Sequence, residues 1–281
     1  MLNFFICTYS IPVVDTVYQN LRTFINEIIM TSINHLNCLI IESRNGRAIG
    51  HCLLLRDNND LALIDTGIGL LDTKDPEKRI GRELIDMVGF KFDESLTAIR
   101  QIEKLGYEPD QVKHCILTHL DPDHIGGLAD FPNAKIHISV EELQNFKSGN
   151  PRYLPIQMAH YPDIVSYKTS NEKWFELEAR KLKLNFNTDI FLIPLFGHTL
   201  RHCGVAIKQK DKWILHAGDA YYLRAETEIA DHPINQLAIA RADNNELRLQ
   251  SLNQIRRLLK DHHDKIRIFG YHDPAELANY N

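Results

Sequence analysis

The sequence predicts a layered α/β fold, and three features carry that prediction. Short apolar runs of strand length alternate with stretches whose apolar residues recur at helical spacing. Polar and glycine-containing turns separate them, with no Gly/Ser linker, repeat or low-complexity tract. The chain of 281 residues is 44% hydrophobic and 25% charged, enough apolar surface for a sizeable core without covalent staples. The expected organisation is an appendage at residues 1–30 followed by one domain over residues 31–281.

The first segment is the least regular. Residues 2–14 are largely apolar, like the core of a signal peptide, but no Lys or Arg precedes them and no clear small-x-small cleavage site follows. The run is too short to span a bilayer. A start at Met30 is an alternative. The expectation is a helical or partly ordered appendage. Strand signals follow at residues 35–43, 51–56 and 61–65, and the polar turn Asp57-Asn58-Asn59-Asp60 makes the last two a hairpin. Residues 71–92, charged with scattered apolar positions, read as a loop-helix insertion and a candidate lid; the charged run 72–82 reads as its solvated face. Leu96, Ile99, Ile102 and Leu105 lie at helical spacing, with Gly106 as the stop. Further strands are expected around Cys115, Ile136, Ile190, Trp213 and Ile266, a helix from Glu141, and an amphipathic helix over 246–260. Trp174 and Phe175 fit a substrate pocket or a core equally well.

Composition narrows the function classes. A formal net charge of −5 is a poor footprint for nucleic acid. The cysteines Cys7, Cys38, Cys52, Cys115 and Cys203 are odd in number and lack CxxC spacing, against a disulfide framework or zinc knuckle. The expectation is a cytoplasmic protein acting on a small molecule, with no nucleic-acid or membrane partner, and with a homodimer left open.

The chemistry lies where apolar runs end. Thr118-His119-Leu120-Asp121-Pro122-Asp123-His124 crowds metal-binding side chains into one turn, and Gly126-Gly127 let the next segment approach closely. Other runs end at His198, Asp219 and His272. Strand-end ligands converge on one sheet edge, where short loops hold them. A single histidine at a strand end is usually structural; the recurrence argues otherwise. His202 reads as a support behind the ligands. His35 and His51 either reach the pocket or pack, and His262 and His263 read as solvated.

The run around His119 resembles the His-x-His-x-Asp-His signature of the metallo-β-lactamase superfamily. Leu63-Ile64-Asp65-Thr66-Gly67, Gly197-His198-Thr199, His216-Ala217-Gly218-Asp219 and Tyr271-His272-Asp273-Pro274 are similar to its other motifs and stand in the same order. The resemblance implies an αββα sandwich, two mixed sheets flanked by helices, with a dinuclear centre between them. Carried over, His119, Asp121 and His198 would hold one metal, Asp123, His124 and His272 the other, and Asp219 would bridge. Asp65 would fix loops near the centre. The sequence departs from the family at Asp121, where the second histidine is usual. A carboxylate still binds zinc, but it is harder than imidazole and moves preference towards iron or manganese. Two divalent ions are expected, zinc first.

The implied activity is a metal-dependent hydrolase, closest in pattern to the acyl-homoserine-lactonase-like branch. Metal binding brings the pKa of water from 15.7 to about 7, so hydroxide formed there attacks a small-molecule ester or lactone carbonyl. By the same resemblance, Tyr222 would donate a hydrogen bond to the developing oxyanion and Asp123 would return a proton to the leaving alkoxide; Tyr221 competes for the first role. Two readings stand beside this one: an iron-dependent redox protein, suggested by Asp121, and a non-catalytic metal-binding sensor.

Overall fold

The computed structural model describes residues 31–43 and 46–280. The expected appendage at 1–30 therefore lies outside the described residues.

Two mixed sheets form. The first holds β1 (Ser32–Ser43), β2 (Gly46–Asp57), β3 (Asp60–Ile64), β4 (Phe90–Lys91), β5 (Val112–Ile116), β6 (Lys135–Ser139) and β7 (Ile164–Tyr167), in the order β4-β1-β2-β3-β5-β6-β7. A small hairpin joins β8 (Lys173–Trp174) and β9 (Leu177–Glu178). The second sheet, in sequence order, holds β10 (Arg180–Lys181), β11 (Ile190–Pro194), β12 (Cys203–Gln209), β13 (Lys212–His216) and β14 (Ile266–Phe269). The hairpin expected across Asp57–Asp60 is present, with β2 antiparallel to β3.

Side-chain alternation explains the layering. Because successive strand residues face opposite ways, a strand buried on both faces reads as an unbroken apolar run. In β2, Leu53 and Leu55 face the second sheet, packing in one cluster with Leu192, Val205 and Phe269. Cys52 and Leu54 face outward, in a cluster with Ala98 and Ile102 of the helix Ala98–Lys104. On the far side, Leu252, Ile255 and Leu258 of the helix Asn245–Asp261 cover Ile193, Leu215 and Ile268. The result is helix, sheet, sheet, helix, the αββα sandwich that the resemblance implied.

The topology aligns the functional loops. β3 and β5 run parallel in one sheet. In the other, β13 and β14 run parallel, and β11 points the same way because two antiparallel steps separate it from β13. The carboxyl ends of β11, β13 and β14 therefore share one edge.

Several expectations change in detail. β4, β7, β8, β9, β10 and β12 lie outside the strands expected from the sequence. Cys203-Gly204-Val205-Ala206-Ile207 is buried on both faces and so shows no alternation. The segment 71–92 is a helical insertion, as expected, and it packs on the first sheet. It forms the helices Leu70–Lys74, Pro76–Arg79 and Arg82–Val88, and its Ile80 packs with Leu39 and Ile41 of β1. Asp72 and Arg79 are buried and joined at 2.9 Å, so the run 72–82 is only partly a solvated face. Trp174 belongs to the core cluster, with Phe175 against it. No helix among the described residues is long and apolar enough to cross a membrane.

Candidate metal centre

The turn after β5 is built from both directions. Asp121 stands at the extended residue before the helix Pro122–Ile125, whose first position is proline, preset for a helix start. This places Asp123 and His124 in the first turn while His119 remains on the loop. The segment 65–69 crosses directly beneath: Thr66 N–H donates to the His124 carbonyl at 2.8 Å and Gly127 N–H to the Gly67 carbonyl at 3.1 Å. A Cβ on Gly127 would meet the Thr66 carbonyl oxygen at 2.7 Å, so only glycine permits the crossing.

The second sheet supplies the rest. His198 follows β11, Asp219 follows β13 and His272 follows β14. The structure brings all seven expected donors together. His119, Asp121 and His198 form one group, His119, His124 and Asp219 a second, and Asp123, His124 and His272 a third, with donor atoms in each within 4.8 Å of one another.

The spacing fits metal. Donors about 2.0–2.2 Å from a tetrahedral ion stand about 3.3–3.6 Å apart. His119 Nε2 lies 3.4 Å from Asp121 Oδ2, and His198 Nε2 3.3 Å from Asp219 Oδ2. His124 Nε2 lies 3.4 Å from Asp219 Oδ1, and His272 Nε2 3.5 Å from Asp123 Oδ2. His119 Nε2, His124 Nε2 and Asp219 Oδ1 are buried without a hydrogen-bond partner, a costly arrangement for atoms with no other use.

Supporting hydrogen bonds fix each ring's free nitrogen. His124 Nδ1 donates to Asp65 Oδ2 at 2.9 Å and His272 Nδ1 to the Ile49 carbonyl at 2.9 Å, turning both Nε2 lone pairs inward. Thr118 Oγ1 donates to Asp65 Oδ2 at 2.8 Å and accepts from His119 Nδ1 at 3.0 Å, with the same effect. His202 is a support, as expected. Its Nδ1 donates to the Leu195 carbonyl, and its Nε2 accepts the Asp219 N–H at 3.0 Å. His35 and His51 pack instead: His35 stacks on Tyr280 and His51 on Phe269.

The electrostatics favour a cation. Burial opposes charge on His124, yet the carboxylates of Asp219, Asp65 and Asp123 raise its pKa well above the ordinary histidine range. A field that holds a proton there also attracts a metal ion. Burial would likewise raise the Asp219 carboxyl, but the charges of His272, His124 and His198 hold it well below the usual range.

Two participants had no signal in the sequence. Arg152 grips Asp121 with Nε and Nη2, each at 2.5 Å, and its Nη2 also lies 2.7 Å from His198 Nε2. Its charge overrides the burial that would raise the Asp121 carboxyl, which sits well below its usual range. Buried Glu142 accepts from Leu120 N–H, Tyr153 Oη and Thr199 Oγ1, joining loops of the two sheets. Both lie far along the chain from their partners, in segments without motif character.

The model of the metallo-β-lactamase superfamily matches residues 45–267. This chain belongs to that superfamily. Its relatives agree: a "Probable metallo-hydrolase" of Mycobacterium tuberculosis is 33% identical over 263 residues, covering 86% of this chain and 80% of the relative. Among solved structures, a variant of Bacillus thuringiensis AiiA with N-decanoyl-L-homoserine at its active site superposes with a TM-score of 0.70 at 18% identity, covering 90% of this chain and 97% of that one. AidC, a dizinc quorum-quenching lactonase in complex with an acyl-homoserine product, does so with a TM-score of 0.54 at 20% identity, covering 81% and 74%. Within the superfamily, the metallo-hydrolase relative and the donor cluster together assign this chain a divalent-metal hydrolase scaffold.

The two candidate tyrosines separate clearly. Tyr221 is buried and its Oη donates to Glu276 at 3.0 Å, away from the donors. Tyr222 Oη lies 3.4 Å from His198 Nδ1, and its ring sits between His198 and His272, with centroids 5.7 and 5.4 Å away.

Proposed function

We propose that this chain is a dinuclear metal-dependent hydrolase of small-molecule esters or lactones, with acyl-homoserine lactones the first substrates to test. The observation that carries the reading is the donor cluster. His119, Asp121 and His198 would hold one ion, Asp123, His124 and His272 the other, and Asp219 would lie between. Zinc is the first candidate, as in AidC. The bound ions would supply hydroxide at neutral pH and polarise the carbonyl oxygen.

The residues of this chain contribute orientation and proton traffic. His198 Nε2 points to Arg152 and to the other donors, so whether it meets the guanidinium or a metal its hydrogen stays on Nδ1, which faces Tyr222 Oη. The Tyr222 hydroxyl hydrogen is thus free for a substrate oxygen that gains charge. Asp123 is the most open of the three donor carboxylates, with 13% of its side chain exposed against 4% for Asp121 and 3% for Asp219. That exposure suits it to carry a proton to the leaving alkoxide.

The test combines metal analysis of the purified protein with hydrolysis of an N-acyl homoserine lactone series followed by acid release. The expected outcome is about two zinc ions per chain and turnover lost on chelation. Tyr222→Phe is expected to lower kcat by about 10²-fold with the metal content unchanged. Full metal occupancy with no turnover on lactones or esters would overturn the reading in favour of a sensor.

A further inference from the structure

Arg152 places a positive charge inside a site built for cations. Its guanidinium satisfies both oxygens of Asp121 and touches His198 Nε2. Nη1 is tied down in turn, donating to the Arg241 carbonyl at 2.6 Å and to Asp243 Oδ1 at 3.2 Å. Only 10% of the side chain is exposed, so it is part of the built structure rather than a surface arm.

The consequence differs between the halves of the centre. Of the donors His119, Asp121 and His198, two are already engaged by the guanidinium, and only His119 Nε2 stands unpartnered. A carboxylate gripped bidentately has fewer lone pairs to offer, and a fixed cation repels an incoming one. The other half has no such neighbour. His124 Nε2 and Asp219 Oδ1 are unpartnered, and Asp123, Asp219 and Asp65 add negative charge around it.

We propose that Arg152 makes the two halves unequal: the Asp123–His124–His272 half fills first and tightly, and the His119–Asp121–His198 half fills second and more weakly. Arg152 is a positioning residue in this scheme. It offsets the extra charge that Asp121 brings in place of a neutral histidine, so the His119–Asp121–His198 half keeps a histidine-like net charge while losing affinity. The inference rests on the two-metal reading above.

Metal-free protein titrated with zinc chloride against a chromophoric chelator reads both steps directly. Two steps about 10–100-fold apart are expected in the unaltered protein. Arg152→Met is expected to bring them together by tightening the weaker one, and Arg152→Lys, which keeps the charge but loses the two-pronged grip, to narrow the gap less. Asp121→Asn, with Arg152 intact, is expected to weaken only the weaker step. Two equal steps in the unaltered protein would overturn the proposal. So would loss of the weaker step in Arg152→Met, since Arg152 would then support Asp121 for metal rather than compete. A single step that Arg152→Met leaves single overturns the two-metal reading instead, and no binding in any variant overturns the metal centre as a whole.

Discussion

Asp65 offers no atom to a metal in this arrangement, yet it organises the turn that does. Its backbone sits at φ 52°, the left-handed region, costly for a side chain other than glycine. The carboxylate takes up the Thr118 N–H at 2.9 Å, the Thr118 hydroxyl at 2.8 Å and His124 Nδ1 at 2.9 Å. Asp65→Asn would present an amide N–H to one of these donors and unlock the His124 ring. Metal affinity is expected to fall about 10–100-fold, read by chelator competition, while an unchanged affinity would assign Asp65 to folding alone. Residues of this kind mark the limit of what the sequence discloses. His119, Asp121, Asp123 and His124 are legible because they crowd one turn, and His198, Asp219 and His272 because each ends an apolar run. Arg152 is not, since Asn150-Pro151-Arg152-Tyr153 looks like any turn and gains meaning only where the fold lays it against Asp121. The departure at Asp121 was visible; the cation that answers it was not.

At the level of elements, the segment between β3 and β5 illustrates the same limit. Its charges suggested solvation, and Asp75, Glu77, Lys78 and Arg82 are exposed. Asp72 and Arg79, seven residues apart, instead meet under the surface. Asp72 also accepts the Gly69 N–H at 3.2 Å, and Arg79 Nη1 donates to the Ile156 carbonyl at 2.7 Å. The pair thus ties the helices to the loop that passes beneath the His124 turn. Arg79→Ala leaves a buried carboxylate unpaired, and burial already raises the Asp72 carboxyl against the pull of Arg79. The expected cost is about 3–5 kcal/mol in urea unfolding; a loss below about 1 kcal/mol would place the pair among surface-like bridges. Strands were easier to foresee where period-two alternation or a polar turn framed them, as for β2 and β3. β12 lacks both cues, because the intersheet core buries one of its faces and the helix Asn245–Asp261 side of the sheet buries the other.

Across the whole molecule, histidines play two opposed roles. Those of the metal centre face carboxylates. His137, in contrast, is enclosed in the first sheet, with Nδ1 2.8 Å from Tyr167 Oη and Nε2 2.9 Å from His114 Nδ1. Burial, then the neighbouring His114, push its pKa down to about 3 from 6.5. The unfolded chain therefore takes up this proton near pH 6.5 while the folded chain refuses it until about pH 3, and stability drains away as the pH falls through that interval. The advantage of the native protein over His137→Gln is expected to shrink by about 2 kcal/mol between about pH 7.5 and about pH 5. Urea unfolding of both proteins at the two pH values measures it, and a constant difference would refute it.

The donors also divide by origin. His119, Asp121, Asp123 and His124 hang from the first sheet, and His198, Asp219 and His272 from the second. Each proposed ion would therefore take donors from both layers, and the spacing between those donors is set by how closely the layers seat. Glu142, with Leu120 on one side and Thr199 on the other, and the Cys203 N–H on the Thr118 carbonyl at 2.9 Å act as spacers for that gap. The centre is in this sense a caliper closed on the sandwich. A looser core, even far from any donor, would be registered there as a change in bite.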